Sequence, residues 1–325
     1  MRARRVGLVA LLGSVLVVAG CAGQGEKEKA GGEEGFKPSR NVVMIVPFEP
    51  GGGSDVLGRA MAAGLEKARP DANISVENRA GGGGAVGNSY LLEQKGDPHF
   101  VLASETSGVS IPLTAKVPWR YTDFTPIGQI AEDATLMVVP EDSEFKTLPD
   151  VIEAAKSERL KVAITGPTSL DAIVVGLTER DQDVKFERVV FESGGEIVNA
   201  LLGGDIDLAM LNPSEVIGQL EANKARATNV FAEQRYKGGD LADVPTAKEE
   251  GIDVSFVQYR GMFAAGGIKP DERAYWTDAL TEWTKSPEYK EYIDKNYLIP
   301  KLTAGKAFED YLKEYETTLK PVLEK

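Results

Sequence analysis

Ten residues near the start of the chain, Val46-Pro47-Phe48-Glu49-Pro50-Gly51-Gly52-Gly53-Ser54-Asp55, read as a strand end, a glycine-rich turn and a helix N-cap. Successive glycines let backbone N–H groups turn toward one point, and a helix N-terminus adds unpaired donors and the positive end of a dipole. Such a loop binds an anion without a basic side chain. It is not a Walker A loop, because the Lys-Ser/Thr pair is missing. Three glycines also make a plain tight turn capped by Ser54 or Asp55, and these residues alone leave both readings open. A second loop, Arg79-Ala80-Gly81-Gly82-Gly83-Gly84-Ala85-Val86-Gly87, contains G-x-G-x-x-G at Gly82, Gly84 and Gly87, with Glu105 near where a ribose-binding acid would fall. That match is weak, since four consecutive glycines satisfy many patterns and the motif does not directly follow its strand. A turn is the better reading.

Other chemistry is thin. His99 follows Asp97 by two positions, but no G-x-S-x-G elbow supplies a nucleophile for a triad; a surface or strand-edge histidine is expected. One Cys and one His exclude a disulfide framework and Cys- or His-cluster metal sites, and no metal or other cofactor is implied. With 50 acidic against 37 basic residues and a formal charge of −13, the chain lacks the basic excess that holds a phosphate backbone, so nucleic acid is not an expected partner. Asp205 and Asp207 fall on one side of a strand start and read as solvated carboxylates.

The N-terminus has a basic start (Arg2, Arg4, Arg5) and an apolar run from Val6 to Ala19, the length of a secretory signal rather than of a membrane span. It ends Val18-Ala19-Gly20-Cys21, which resembles a bacterial lipobox. Residues 1–20 are therefore expected to be a lipoprotein signal peptide and Cys21 the lipidated residue. Loss of the three arginines would take the charge from −13 to −16. Residues 21–40, rich in Gly, Glu and Lys, read as that cysteine and a flexible tether.

The elements that must position these loops alternate. Short β-rich runs (42–46, 74–76, 100–103, 136–139, 161–164, 188–191, 206–211, 256–264) are separated by helical stretches (from Ser54, 85–94, 148–157, 170–179, 196–202, 214–223), which predicts βα units in two mostly parallel arrays, each with its own core. Two polar helices after residue 264 should pack back on the first array. Residues 301–325 read as amphipathic surface helix.

Further signals are Val76-Glu77-Asn78-Arg79 ahead of the second glycine loop, Leu201-Leu202-Gly203-Gly204-Asp205-Ile206-Asp207, Asp243-Val244-Pro245-Thr246 with Glu249-Glu250-Gly251, and Gly261-Met262-Phe263-Ala264-Ala265-Gly266-Gly267-Ile268. With the lipobox and the first loop, their order and spacing resemble the tripartite tricarboxylate transporter substrate-binding proteins, also called the Bug family, over about residues 41–325. The resemblance implies an α/β, type II periplasmic-binding-protein-like fold of two lobes, each a mixed, mostly parallel sheet flanked by helices, with a ligand cleft between them. Lobe 1 would be residues 41–135 and 260–325, and lobe 2 residues 136–259. The chain would cross near Glu132 to Val139 and near Asp253 to Phe263.

The function implied is that of a non-enzymatic extracytoplasmic receptor, anchored to the membrane through its lipid. It would close on a small carboxylate, a di- or tricarboxylate or related organic acid, and deliver it to integral-membrane permease subunits. Carried over by motif, the ligand-binding positions would be Phe48, Gly51, Gly52, Gly53, Ser54 and Asp55, then Ser104, Glu105 and Thr106. The second lobe would add Thr165, Gly166, Thr168, Ser169, Ser193, Gly194, Asn212 and Ser214. Family members often carry Tyr-Lys-Gly where this chain has Phe191-Glu192-Ser193, and Asp-His where it has Asp171-Ala172. If Glu49, Glu105, Glu192 or Glu215 points inward, a ligand bearing an amino group fits, because an unpaired buried carboxylate is costly; rim positions are the default. The alternatives are an exported hydrolase or dehydrogenase using a glycine loop, and a receptor for another class of transporter.

Overall fold

The apolar run Val42–Val46 (β1) is buried almost throughout and sits in mid-sheet, as a strand with no polar face must. The computed structural model describes residues 35–323 except 192 and 238. The signal peptide, Cys21, Glu192 and most of the tether lie outside the described residues. After β1 come Gly53–Ala68 (α1), Ile74–Asn78 (β2), Ala85–Glu93 (α2), Phe100–Ser104 (β3), Ser107–Thr114 (α3) and Thr125–Ala134 (β4). The chain then builds a second sheet through Leu136–Pro140 (β5), Leu148–Ala155 (α4), Lys161–Ile164 (β6), Leu170–Gln182 (α5), Glu187–Val190 (β7), Gly194–Gly203 (α6), Leu208–Leu211 (β8), Pro213–Glu221 (α7) and Ala225–Val230 (β9). It returns to the first sheet with Val257–Ala264 (β10), Pro270–Trp283 (α8), Pro287–Lys295 (α9), Ile299–Ala304 (β11) and Lys306–Leu323 (α10).

The strand orders are β11-β4-β10-β3-β1-β2 and β7-β6-β8-β5-β9. Both sheets are mixed. Four strand pairs are parallel and five antiparallel, fewer parallel than the βα alternation implies, because β10, which returns from the other lobe, β5, which enters it, and the added edge strand β11 run against their neighbours. Strands β4, β9 and β11 and helix α3 escaped the sequence reading; β11 occupies the start of the stretch expected to be helix. The chain leaves the first sheet between β4 and β5 and re-enters it at Val257, within the two expected crossings.

Local chemistry sets the helix starts that face the other lobe. Asn212 and Glu215 form a capping box at α7 with Pro213 in its first turn, and Ser193 accepts the Glu196 N–H at α6. At α1, Gly58 has no side chain to hold the helix off the sheet: a Cβ there would overlap Val46.

Each sheet has an apolar cluster of its own, as expected, and a further cluster joins the two. One continuous apolar cluster includes Ile45, Leu102 and Phe263 of the first lobe, Met137, Val162 and Ile164 of the second, and the α10 residues Phe308, Leu312, Tyr315, Leu319 and Leu323. Helix α10 packs on both α3 and α5, so it is no mere surface helix. The end of the expected tether is also docked. Phe36 meets the His99 and Tyr275 rings edge-on, the Ser39 N–H donates to His99, and Arg40 pairs with Asp97. His99 is thus buried rather than a surface residue, its ring held between Asp97 and Ser39. Asp205 and Asp207 are exposed as expected, although Asp207 also accepts the Lys161 N–H at 2.7 Å.

Candidate functional site

The first glycine loop is braced from inside by Asp55. Its carboxylate accepts from the Gly51 N–H (3.0 Å), Asn78 Nδ2 (2.9 Å) and Arg59 Nε (2.9 Å). Arg59, aided by Gly51 and Asn78, holds the Asp55 pKa down at about 2 against the opposing effect of burial. Asp55 therefore shapes the loop, with its oxygens already in use. The N–H groups of Asp55 and Val56 both return to the Gly52 carbonyl, while the amides of Gly52, Gly53 and Ser54 have no acceptor among the described residues. All three glycines of the turn are exposed.

The second glycine loop is a turn that buttresses the first. Gly81, Gly82, Gly83 and Gly84 all have positive φ, and a Cβ on Gly87 would lie 2.7 Å from Pro47. Phe48, half-buried, rests against Gly84, and its carbonyl accepts from Asn78.

Beside Gly53 stands a residue that the sequence reading missed. Arg260, on β10, would lie 3.1 Å from a Cβ on Gly53. Its Nη1 donates to Glu105 Oε2 (2.5 Å), and its Nη2 (2.5 Å) and Nε (3.2 Å) donate to Asp133 Oδ2 on β4. Gln258, directly opposite Asp133 in the strand register, satisfies both ends of its amide when its oxygen accepts from Arg260 and its nitrogen donates to Thr106 Oγ1. Burial works against the Arg260 charge, but Asp133 and Glu105 more than restore it, and its pKa stays above the ordinary value. Ser54 Oγ donates to Glu105 at 2.7 Å, so the first turn of α1 is tied to this cluster.

The second lobe reaches the same place. Asn212 Nδ2 donates to Asp133 Oδ1 at 2.7 Å. Gly194 leaves room for Glu215, whose carboxylate would overlap any Cβ there. Glu215 is exposed as a residue, as expected of a rim position, but desolvation around its carboxylate raises its pKa, and Asp133 and Asp171 push it the same way, against the Asn212 N–H and Arg260. At the start of α5, Asp171 gathers the Thr165 N–H and hydroxyl and the Ser169 hydroxyl; burial raises its pKa despite them.

Of the residues expected to bind ligand, Gly53, Ser54 and Glu105 are brought together around Arg260, and Asn212 joins them through Asp133. Gly51 and Gly52 complete the loop. Thr165 and Ser169 surround Asp171, Gly166 and Thr168 are partly exposed in the same loop, and Gly194 lies against Glu215. Ser193 is engaged as the α6 cap and Ser214 is exposed. Two hydroxyls also bond to buried tyrosines: Ser104 pairs with Tyr259, and Thr106, besides accepting from Gln258, pairs with Tyr315 of α10. Glu49 is exposed, whereas Glu105 is buried in the cluster. A cavity of about 700 Å³, lined by Glu132, Tyr236, Val257, Tyr297, Ile299 and Lys301 among others, shares no residue with the expected set.

Two lobes joined by crossing strands, with strand-end loops and helix N-termini facing each other, define a solute-binding protein of the two-lobed periplasmic type. The chain belongs to the tripartite tricarboxylate transporter family of receptors, whose model matches residues 57–325. It is 28% identical to a TctC solute-binding protein from Polaromonas, with a TM-score of 0.77 over 89% of this chain and 99% of that one. MatC from Rhodopseudomonas palustris, solved with bound malate, has the same fold at 23% identity, with a TM-score of 0.74 over 88% of this chain and 100% of that one. Among sequence relatives, a UPF0065 protein of Cupriavidus necator is 26% identical over 89% of this chain and 88% of its own length. Protein BugT of Bordetella pertussis is 25% identical over 75% and 74%. The family is one of extracytoplasmic receptors rather than enzymes.

Proposed function

We propose that this receptor captures a small carboxylate between its two lobes and passes it to permease subunits in the membrane without catalysing a reaction. The observation that carries this reading is the set of unpaired amides at Gly52, Gly53 and Ser54, held at a helix N-terminus beside the Asp133–Asn212 contact between lobes. A solute touching both lobes favours the closed form.

Gly52 offers the test. Its φ of −82° suits any residue, and a Cβ there meets only the Glu49 carbonyl, at 3.9 Å. Gly52→Val should fold normally and weaken binding of organic acids about tenfold or more, by blocking the amides. Calorimetry against a panel of mono-, di- and tricarboxylates checks it, and unchanged affinity in the folded variant sinks the loop assignment.

The lipid anchor at Cys21 is proposed on the lipobox-like Val18-Ala19-Gly20-Cys21. Cys21→Ser should move the protein from the membrane fraction to the soluble one; a variant that still sediments with membranes removes the thiol as the attachment point.

A further inference from the structure

Where the lobes meet, Glu105 and Asp133 already hold the guanidinium of Arg260, and Glu215 feels the negative charges of Asp133 and Asp171 as well as the positive charge of Arg260. A solute carboxylate drawn to Arg260 would displace Glu105 or Asp133 and leave it buried without a counter-ion, which is a costly exchange. Arg260 is thus structural, and the charge left over in the cleft is negative. Glu105 takes its hydrogen bonds on Oε2, while Oε1 has no partner among the described residues although the residue is only 6% exposed. Glu105 is also bonded to the hydroxyl of Ser54, whose own amide is one of the unpaired donors at the α1 N-terminus.

We propose that the solute selected is a carboxylic acid that also carries an ammonium group, an amino acid or amino diacid, with its carboxylate on the Gly52–Ser54 amides and its ammonium on Glu105 Oε1. The proposal rests on the reading of the α1 N-terminus as a carboxylate site. The two groups are close neighbours in an α-amino acid, and the two subsites are close neighbours here, joined through one residue, Ser54. The ammonium supplies the positive charge that the cluster lacks. It also relieves Glu215, whose ionisation Asp133 and Asp171 already oppose. A simple dianion adds to that repulsion.

Matched pairs that differ only in the amino group test it on the whole chain: succinate and L-aspartate, glutarate and L-glutamate, propionate and L-alanine, 3-phenylpropionate and L-phenylalanine. In at least one pair the amino member should bind about tenfold tighter or more, the scale of one charge-assisted contact. Glu105→Gln should shrink that gap to about threefold or less by weakening the amino member alone. Plain acids that bind as tightly as their amino partners overturn the proposal and leave the carboxylate reading standing. A gap that survives Glu105→Gln overturns the assignment to Glu105. Binding by neither member of any pair overturns the carboxylate reading as well. If Glu105→Gln does not fold, the wild-type comparison still decides the solute class.

Discussion

Arg260→Met should destabilise the protein by about 3–5 kcal/mol, the cost of stripping the counter-ion from a buried ion cluster. The side chain is 9% exposed and its partners Glu105 and Asp133 are 8% and 4% exposed, so solvent can screen little of what remains. Methionine fills much of the lost volume, and the deficit is therefore electrostatic. The triple variant Arg260→Met, Glu105→Gln, Asp133→Asn should recover most of the loss, because it removes the charges together. Urea unfolding of wild type and the two variants measures this. A single variant within about 1 kcal/mol of wild type would mean that the two carboxylates do not depend on Arg260.

Gly64→Val should cost about 3 kcal/mol, at the upper end for overpacking a tight site. Gly64 lies on the buried face of α1, where a Cβ would fall inside the Trp283 indole of α8. Trp283 cannot retreat easily, since it packs edge-on against Tyr289 and tilted against Tyr292 of α9. Helices α1 and α8 must therefore separate, and α1 carries Gly53 and Ser54 at its other end. Thermal or urea unfolding should show the loss of stability, and calorimetry a weaker affinity in the fraction that folds. Wild-type stability in this variant would place the helices farther apart than described.

Much of this was legible in the sequence because its signals are local. The apolar run 42–46, the glycine turn and the helical spacing from Ser54 each concern a few adjacent residues, and they positioned the loop correctly. Glu105 was legible as a strand-end acid. Arg260 and Asp133 were not, since each sits in a strand of otherwise ordinary residues and gains its meaning only from a neighbour far along the chain. One signal was available: a charged residue inside an apolar run, at Tyr259-Arg260-Gly261-Met262-Phe263, must find a counter-ion if the run is buried. The partners of Ser104 and Thr106 were illegible for the same reason. Ser104 ends β3 and Thr106 follows it, and the buried hydroxyls of Tyr259 and Tyr315 that they bond are distant in sequence.

Helix α10 bears on how such a receptor opens. Val322 reaches Gly176 of α5 so closely that a Cβ there would lie 2.8 Å away, while Tyr315 bonds both Thr106 and the Val257 carbonyl where the chain re-enters the first sheet. The two halves are therefore bound like the covers of a book, with this helix against the spine. They can part at the edge where Gly52 lies, but not slide past each other, because sliding would shear a continuous apolar cluster. Capture then becomes a swing about one fixed edge. On the reading proposed above, the edge about which the lobes would swing is braced by α10, far along the chain from the glycine loop.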